Sequence, residues 1–262
     1  METRAASDVQ ALFNRKAGSW RRKYALNGKL HARVERFAGR LCALCPPPAR
    51  VLDLGCGTGE IAAAIDRMGY QVTACDFAEE MIEIARSSHT GTGVTWICLK
   101  PDWEVLPFRD NSFDGIVASS VFEYLFDVQG VAAELARVLR PEGVMLLTVP
   151  NPRNVVRKIE AWARPMLLNH HLSRWVYRVR QIDSYATYLR LSRNRFEGHG
   201  WQSVLETAHF VPMNERDSSE EAWRNQAKAP LVLLAMKRVE MGQPATDDDK
   251  LSNRRISSYK LI

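Results

Sequence analysis

The sequence contains no apolar run near the roughly 18–20 residues that a membrane span requires. Met1 to Gln10 is polar and has no apolar stretch of signal-peptide type, so no secretory signal is expected and the cytoplasm is the default compartment. There are five cysteines, Cys42, Cys45, Cys56, Cys75 and Cys98. Cys42 and Cys45 have the spacing of half a zinc site, but no second pair and no correctly spaced histidine pair follows. No metal is therefore expected, and the thiols read as small reduced hydrophobes. Internal repeats are also missing. What is present is the balance of a soluble globular protein: 262 residues, 46% apolar and 25% charged.

The net charge of +6 conceals a pattern. Residues 1–40 carry ten Lys/Arg against three Asp/Glu, and residues 151–200 again carry ten against three. Between them, residues 41–150 carry seven against fifteen. Two basic segments thus flank an acidic middle, which points to a basic surface with a partner.

Apolar spacing at i, i+3 and i+4 predicts helix over residues 8–44, with Val9, Leu12 and Phe13 and then Leu30, Val34, Phe37 and Leu41. Pro46-Pro47-Pro48 ends that stretch. Short, continuously apolar runs then alternate with helical ones. Strands are predicted at Arg50–Leu54, Gln71–Cys75, Val94–Leu99, Phe113–Ala118 and Val144–Val149. The intervening helices are expected at Glu60–Met68, Ala78–Arg86 and Val131–Leu139, the last followed by a turn at Arg140–Gly143. Strands of this kind are buried on both faces, so the pattern predicts a doubly wound, mostly parallel sheet.

After Pro150 the rhythm breaks. Val155, Val156, Ile159, Trp162, Ala163 and Met166 fit one amphipathic helix, and Leu172, Trp175, Val176 and Val179 fit a second. Strand and helix resume near Trp201–Thr207, and Leu231–Met236 is the last strand. The expected organisation is a helical cap over 1–45, a core over 46–238 with a helical lid inserted at 151–198, and a mobile polar tail over 239–262.

The turn after the first strand reads Asp53-Leu54-Gly55-Cys56-Gly57-Thr58-Gly59. Its glycines permit unusual backbone angles and a close approach by a ligand. The N–H groups of the following helix suit an anionic group such as a carboxylate. A dinucleotide turn requires Gly-x-Gly-x-x-Gly, and here Glu60 stands where the third glycine would be. Asp76 ends the second strand, 19 residues after Gly57, a spacing suited to a carboxylate that accepts from ribose hydroxyls.

Residues 51–149 resemble the class I S-adenosylmethionine-dependent methyltransferases, especially the type 11-like subgroup that acts on small molecules. Val51 to Gly59 is similar to that family's first motif, and Asp76-Phe77-Ala78-Glu79-Glu80-Met81 to its second. Asp102-Trp103-Glu104-Val105-Leu106-Pro107-Phe108, Asn111 to Asp114 and Leu139 to Gly143 match three further signatures. The resemblance implies a Rossmann-like α/β fold with seven strands, the last antiparallel, and S-adenosyl-L-methionine as cofactor. It implies cofactor contacts from Asp53, Gly55, Cys56, Gly57 and Gly59. Asp76 would hold the ribose, Phe77 and Met81 would pack on the adenine, and Asp102 with Trp103 would meet its amino edge. Gly55 and Ser119 would hold the methionine part. Where the family often has Glu-His after the fourth strand, this chain has Glu123-Tyr124. Phe77 and Met81, four apart on one helical face, also fit plain core, and a glycine turn also serves close helix–strand packing.

The methyl group of a sulfonium is already activated, so transfer depends chiefly on alignment, and a base is needed only for an acceptor that must lose a proton. Candidate bases are His170, His171, His199, His209, Glu123 and Tyr188; a solvated loop pair is the plain reading of His170 and His171. The basic segments coincide with those that build the acceptor pocket in such enzymes, which suggests an anionic small molecule, methylated on oxygen. The chain is also loosely similar to the ubiquinone-pathway and magnesium-protoporphyrin O-methyltransferases. A lipid-linked acceptor, with peripheral membrane contact through 151–180, is therefore a second reading. Its plain counterpart has the apolar helix faces covering the core and the arginines in water. Methylation of RNA is a third, but no appended RNA-binding domain and no Asn/Asp-Pro-Pro-Tyr/Phe signature is present, so no nucleic-acid partner is expected. A non-catalytic cofactor-binding subunit is a fourth.

Overall fold

The computed structural model describes residues 2–24, 28, 30–168, 180–196, 198–213, 226 and 228–240. Its centre is a seven-stranded sheet of order β3-β2-β1-β4-β5-β7-β6. The strands are β1 (Arg50–Leu54), β2 (Gln71–Asp76), β3 (Thr95–Cys98), β4 (Phe113–Ala118), β5 (Leu139–Pro150), β6 (Phe210–Pro212) and β7 (Leu231–Arg238). Neighbours from β3 to β5 run parallel, and β7 is antiparallel to both β5 and β6. The Rossmann-like sheet with a reversed last strand is as the sequence predicts.

The continuous apolar runs have a direct physical cause. Side chains alternate across a strand, and here each parity enters a separate core. Val51, Val72, Ala74, Val117 and Leu146 lie on one face. They pack there with Phe37 and Leu41 of α2 (His31–Leu44) and Ile61 and Ile65 of α3 (Glu60–Asp66). Leu52, Leu54, Cys75, Ile116 and Leu147 lie on the other. Their partners are Ala132 and Leu135 of α5 (Val128–Val138) and Trp201 and Leu205 of α8 (Gly198–Thr207). Asp127 caps α5, its carboxylate accepting from the Gly130 N–H at 2.8 Å.

Two differences from expectation concern local geometry. The Arg140–Gly143 turn lies within β5: Leu139 pairs with Phe113, the next pair is Val144 with Gly115, and Glu142 takes φ +63° in between. The extra residues form a bulge that the ladder accommodates. The segment near Trp201 is helical, and β6 has three residues only.

The predicted N-terminal helix is divided into α1 (Glu2–Trp20), a 3₁₀ turn (Arg21–Tyr24) and α2. Ala17 of α1 packs on Ala78 and Met81, the latter from α4 (Glu79–Ser88), while Val9 and Leu12 pack on Leu191 of α7 (Arg180–Leu191). The first inserted helix is present as α6 (Val155–Leu168). The second, and His170 and His171 at the break before it, lie outside the described residues, as do positions 241–262 of the tail. Among the described residues no helix is long and apolar enough to cross a membrane. Nor is there a group of three or more His, Cys, Asp or Glu side chains placed to hold a metal.

Candidate active site

A cavity of about 780 Å³ opens at the carboxyl ends of β1, β2 and β4, beneath α1 and the 3₁₀ turn. This is the crevice position in which open α/β sheets hold ligands. The glycine turn forms its floor. Gly55 has φ +67°, and a Cβ there would lie 2.4 Å from Val121 Cγ2. The Gly55 and Cys56 N–H groups both donate to the Cys75 carbonyl, at 2.8 and 3.0 Å, which draws the turn onto the end of β2. Asp76 completes the tie: one carboxylate oxygen accepts from Gly57 N–H and the other from Ala78 N–H, each at 2.9 Å.

Of the residues singled out in the sequence, Asp53, Gly55, Cys56, Gly57, Asp76, Phe77, Asp102, Trp103 and Ser119 line this cavity. Gly59 and Met81 do not. A Cβ on Gly59, at φ +88°, would lie 2.5 Å from Trp96 Cη2, so this glycine lets α3 start close against β3. Met81 is buried between α4 and α1 with Ala17 and Ala78. For both, packing is the role the structure supports.

The helix start is not an anion site either. Glu60 occupies the first turn of α3 and accepts from Thr58 Oγ1 at 2.7 Å, so the helix supplies its own carboxylate. The cation is elsewhere. Arg33 of α2 reaches the end of β4 and donates to Ser120 Oγ at 2.9 Å and Ser119 Oγ at 3.4 Å. Among the described residues that line the cavity, it is the only cation, facing Asp53, Asp76, Asp102, Glu104 and Asp127. Sequence reading missed Arg33 because nothing in a helical repeat says which arginine points inward.

Asp53 carries the sharpest imbalance. It is 1% exposed, and its Oδ2 has no hydrogen-bond partner. Burial, with Asp76 close by, pushes its carboxyl well above the ordinary 3.8. Burial raises Asp76 as well, against the N–H donors from Ala78 and Gly57. An unpaired acidic atom at a cavity wall suits a positively charged ligand group.

The sign of this effect is testable. A carboxyl with a raised pKa binds its proton more tightly folded than unfolded. Its stabilising contribution is present at low pH and is lost as pH rises from 3.8 through the raised value. Asp53→Asn therefore raises the melting temperature of the ligand-free protein at neutral pH. The gain is about 2–4 °C for each kcal/mol recovered. It also flattens the fall in melting temperature between about pH 4 and pH 7. Differential scanning fluorimetry across that range reads both; an unchanged slope contradicts the assignment.

The base candidates fall elsewhere. Glu123 is 3% exposed and turned away from the cavity wall. Its carboxylate accepts from Ser192 Oγ at 3.1 Å and Tyr188 Oη at 3.3 Å, and lies 3.7 Å from Arg157. Arg157 also contacts the Tyr188 hydroxyl and lies 2.9 Å from Glu160, which Arg195 meets at 3.0 Å. Burial works against the Arg157 charge, but Glu123, Tyr188 and Glu160 outweigh it and hold the guanidinium above its ordinary value. Burial and Glu123 push the Tyr188 phenol up to about 12. This cluster joins the 3₁₀ turn Phe122–Tyr124 to α6 and α7. His199 and His209 do not line the cavity. Tyr124 does, with its ring edge-on to Phe13 at 5.1 Å. Its phenol is held well above its ordinary value by burial and Glu123. Its only sequence signal was the departure from Glu-His.

Residues 52–147 match the family described as a methyltransferase domain. Over 116 residues the chain is 39% identical to the ubiquinone/menaquinone biosynthesis C-methyltransferase of Desulfotalea psychrophila, covering 42% of this chain and 46% of that one. It is 28% identical over 209 residues to the ubiquinone biosynthesis O-methyltransferase of Xanthomonas campestris, covering 76% and 78%. The chain spans less than half the length of several curated relatives that it matches. In fold it is similar to the magnesium protoporphyrin IX methyltransferase of Synechocystis, solved with bound SAH. The TM-score is 0.62 at 16% identity, over 88% of this chain and 98% of that one. The match covers β1 to β5, the glycine turn and the acids at the strand ends. Through residues 52–147 the chain is similar to methyltransferases.

Proposed function

We propose that the protein binds S-adenosylmethionine in this cavity and transfers its methyl group to an oxygen of an anionic small molecule. The observation that carries the reading is the charge arrangement: an acid-lined cavity with an unpaired, buried Asp53 oxygen and a single arginine among the described lining residues. S-adenosylmethionine supplies an activated methyl on a sulfonium, together with an ammonium, a carboxylate, a ribose diol and an adenine. Asp53 Oδ2 would accept from the ammonium, and Arg33 with Ser119 would hold the carboxylate. Asp76 retains free lone pairs for the ribose hydroxyls. Phe77 and Trp103 offer apolar surface for the adenine, and Asp102 an acceptor for its amino group. The aromatic roof of Phe13, Trp20, Tyr24 and Tyr124 excludes water.

The same wall restricts the acceptor. Tyr124 stays protonated, and burial pushes the Tyr24 phenol up to about 12. Among the described residues no histidine lines the cavity. An acceptor that arrives ionised, such as a carboxylate, would need no base. The relatives named above act in quinone and protoporphyrin chemistry, and both basic segments flanking the acidic core support a negatively charged acceptor.

The test is a panel of carboxylated metabolites assayed for S-adenosylhomocysteine release, beside matched alcohols, phenols and amines. Turnover confined to carboxylates, with a rate flat across about pH 6–9, is expected. Turnover of amines with a rising pH profile would overturn the acceptor assignment while leaving the donor site intact.

A further inference from the structure

Helix α6 is inside out. Its polar residues Arg157 and Glu160 are buried, together with Asn154 just before it. Its apolar residues face outward: Val155, Val156, Ile159 and Trp162 are 69%, 53%, 59% and 73% exposed. The expectation that an apolar stripe covers the core is reversed here. The orientation is fixed from beneath. Arg157 Nη1 meets Glu160 at 2.9 Å and its Nε donates to the Pro230 carbonyl at 3.2 Å, while Asn154 Nδ2 donates to the Lys228 carbonyl at 2.8 Å. Rolling the apolar face inward would break this buried network and strand its charges.

The outward face therefore calls for an apolar partner, and the surrounding charge says which. Arg153 and Lys158 are exposed at and beside the stripe. Glu160, the one acid between residues 151 and 168, is turned inward. Near the far end of the helix burial disfavours the Arg164 charge, and the charges of Arg195 and Arg193 add to that. A tryptophan and aliphatic stripe rimmed by cations fits the boundary of an anionic bilayer, where the apolar side chains enter and the cations remain with the headgroups. A second copy of the same face would instead set Lys158 and Arg153 against themselves in a two-fold contact.

We propose that α6 is a lipid-docking helix that seats the protein on an anionic membrane surface through Val155, Val156, Ile159 and Trp162. The proposal does not depend on the methyl-transfer reading. The test is co-sedimentation of the full chain with vesicles of phosphatidylcholine alone or mixed equally with phosphatidylglycerol. Wild type pellets with the mixed vesicles. The variant Val155→Ser/Ile159→Ser/Trp162→Ser, whose positions are exposed, keeps the wild-type circular dichroism and melting temperature and loses at least tenfold in affinity. Arg153→Gln/Lys158→Gln weakens binding by about fivefold per charge at low salt. Wild type remaining in the supernatant with both vesicles overturns the proposal, as does a triple variant that binds like wild type. A wild-type dimer in light scattering that the triple variant dissociates gives the face to a second copy and also overturns it.

Discussion

Asp76→Ala weakens S-adenosylmethionine binding by about ten- to hundredfold. The carboxylate is 8% exposed and sits where β2 meets the cavity. Its two oxygens are each engaged by one backbone N–H, from Gly57 and Ala78. Each oxygen has a further lone pair, so the group can accept from a diol without releasing the turn. Hydrogen bonds to a charged acceptor contribute about 1.5–3 kcal/mol, and about 1.4 kcal/mol is tenfold in affinity. Two effects combine in the alanine variant, because the Gly57 and Ala78 N–H groups also lose their acceptor. Asp76→Asn separates them: it can satisfy one N–H but cannot offer the ribose two anionic oxygens, and its affinity falls between the other two. Titration calorimetry on the three proteins reads the order. Equal affinity in Asp76→Ala and wild type contradicts the ribose assignment.

Arg157→Ala destabilises the fold by about 3–5 kcal/mol, the usual consequence of removing one partner from a buried ion pair. Arg157 lies between Glu123 at 3.7 Å and Glu160 at 2.9 Å, and donates to the Pro230 carbonyl. Its loss leaves Glu123 with hydroxyl donors only, from Ser192 and Tyr188, while Glu160 retains Arg195. Chemical denaturation gives the loss. Arg157→Met with Glu123→Leu removes both members of one pair and is more stable than Arg157→Ala alone, since the penalty comes from the stranded charge. If Glu123 were instead a catalytic base, Glu123→Gln would abolish turnover in a protein of near-normal stability.

The sheet was legible because its central strands, β1, β4 and β5 above all, are buried on both faces, and such runs leave little room for another reading. The glycine turn and the strand-end acids were legible because their spacing is local: Gly57 and Asp76 meet across a single βαβ unit. Contacts between distant segments were not. Glu123 and Tyr188 are 65 positions apart, and each alone looked like a candidate base. Their hydrogen bond to one another, with Arg157 between two acids, is a tertiary fact. Arg33 escaped notice for the same reason, since it reaches residues 119 and 120 from a helix before the first strand.

Helix α6 shows a different limit. Periodicity correctly gave two faces, one apolar and one polar. It does not say which face meets the core when buried polar residues have partners of their own. Here Glu123 and Arg195 supply those partners from the core side, and the apolar face is left outward. Gly59 and Met81 mark the converse case: they lie inside motifs that suggested ligand contact, and the structure uses them for packing under Trp96 and α1.

The central claim is that the acid-lined cavity is a methyl-donor site. Its most direct test is a calorimetric titration of the folded wild-type chain with S-adenosylmethionine and, separately, with S-adenosylhomocysteine. Saturable binding of both at one site per chain, in the micromolar range, is predicted. Absence of binding heat across several temperatures, in protein whose circular dichroism and cooperative melting show it to be folded, would contradict the account.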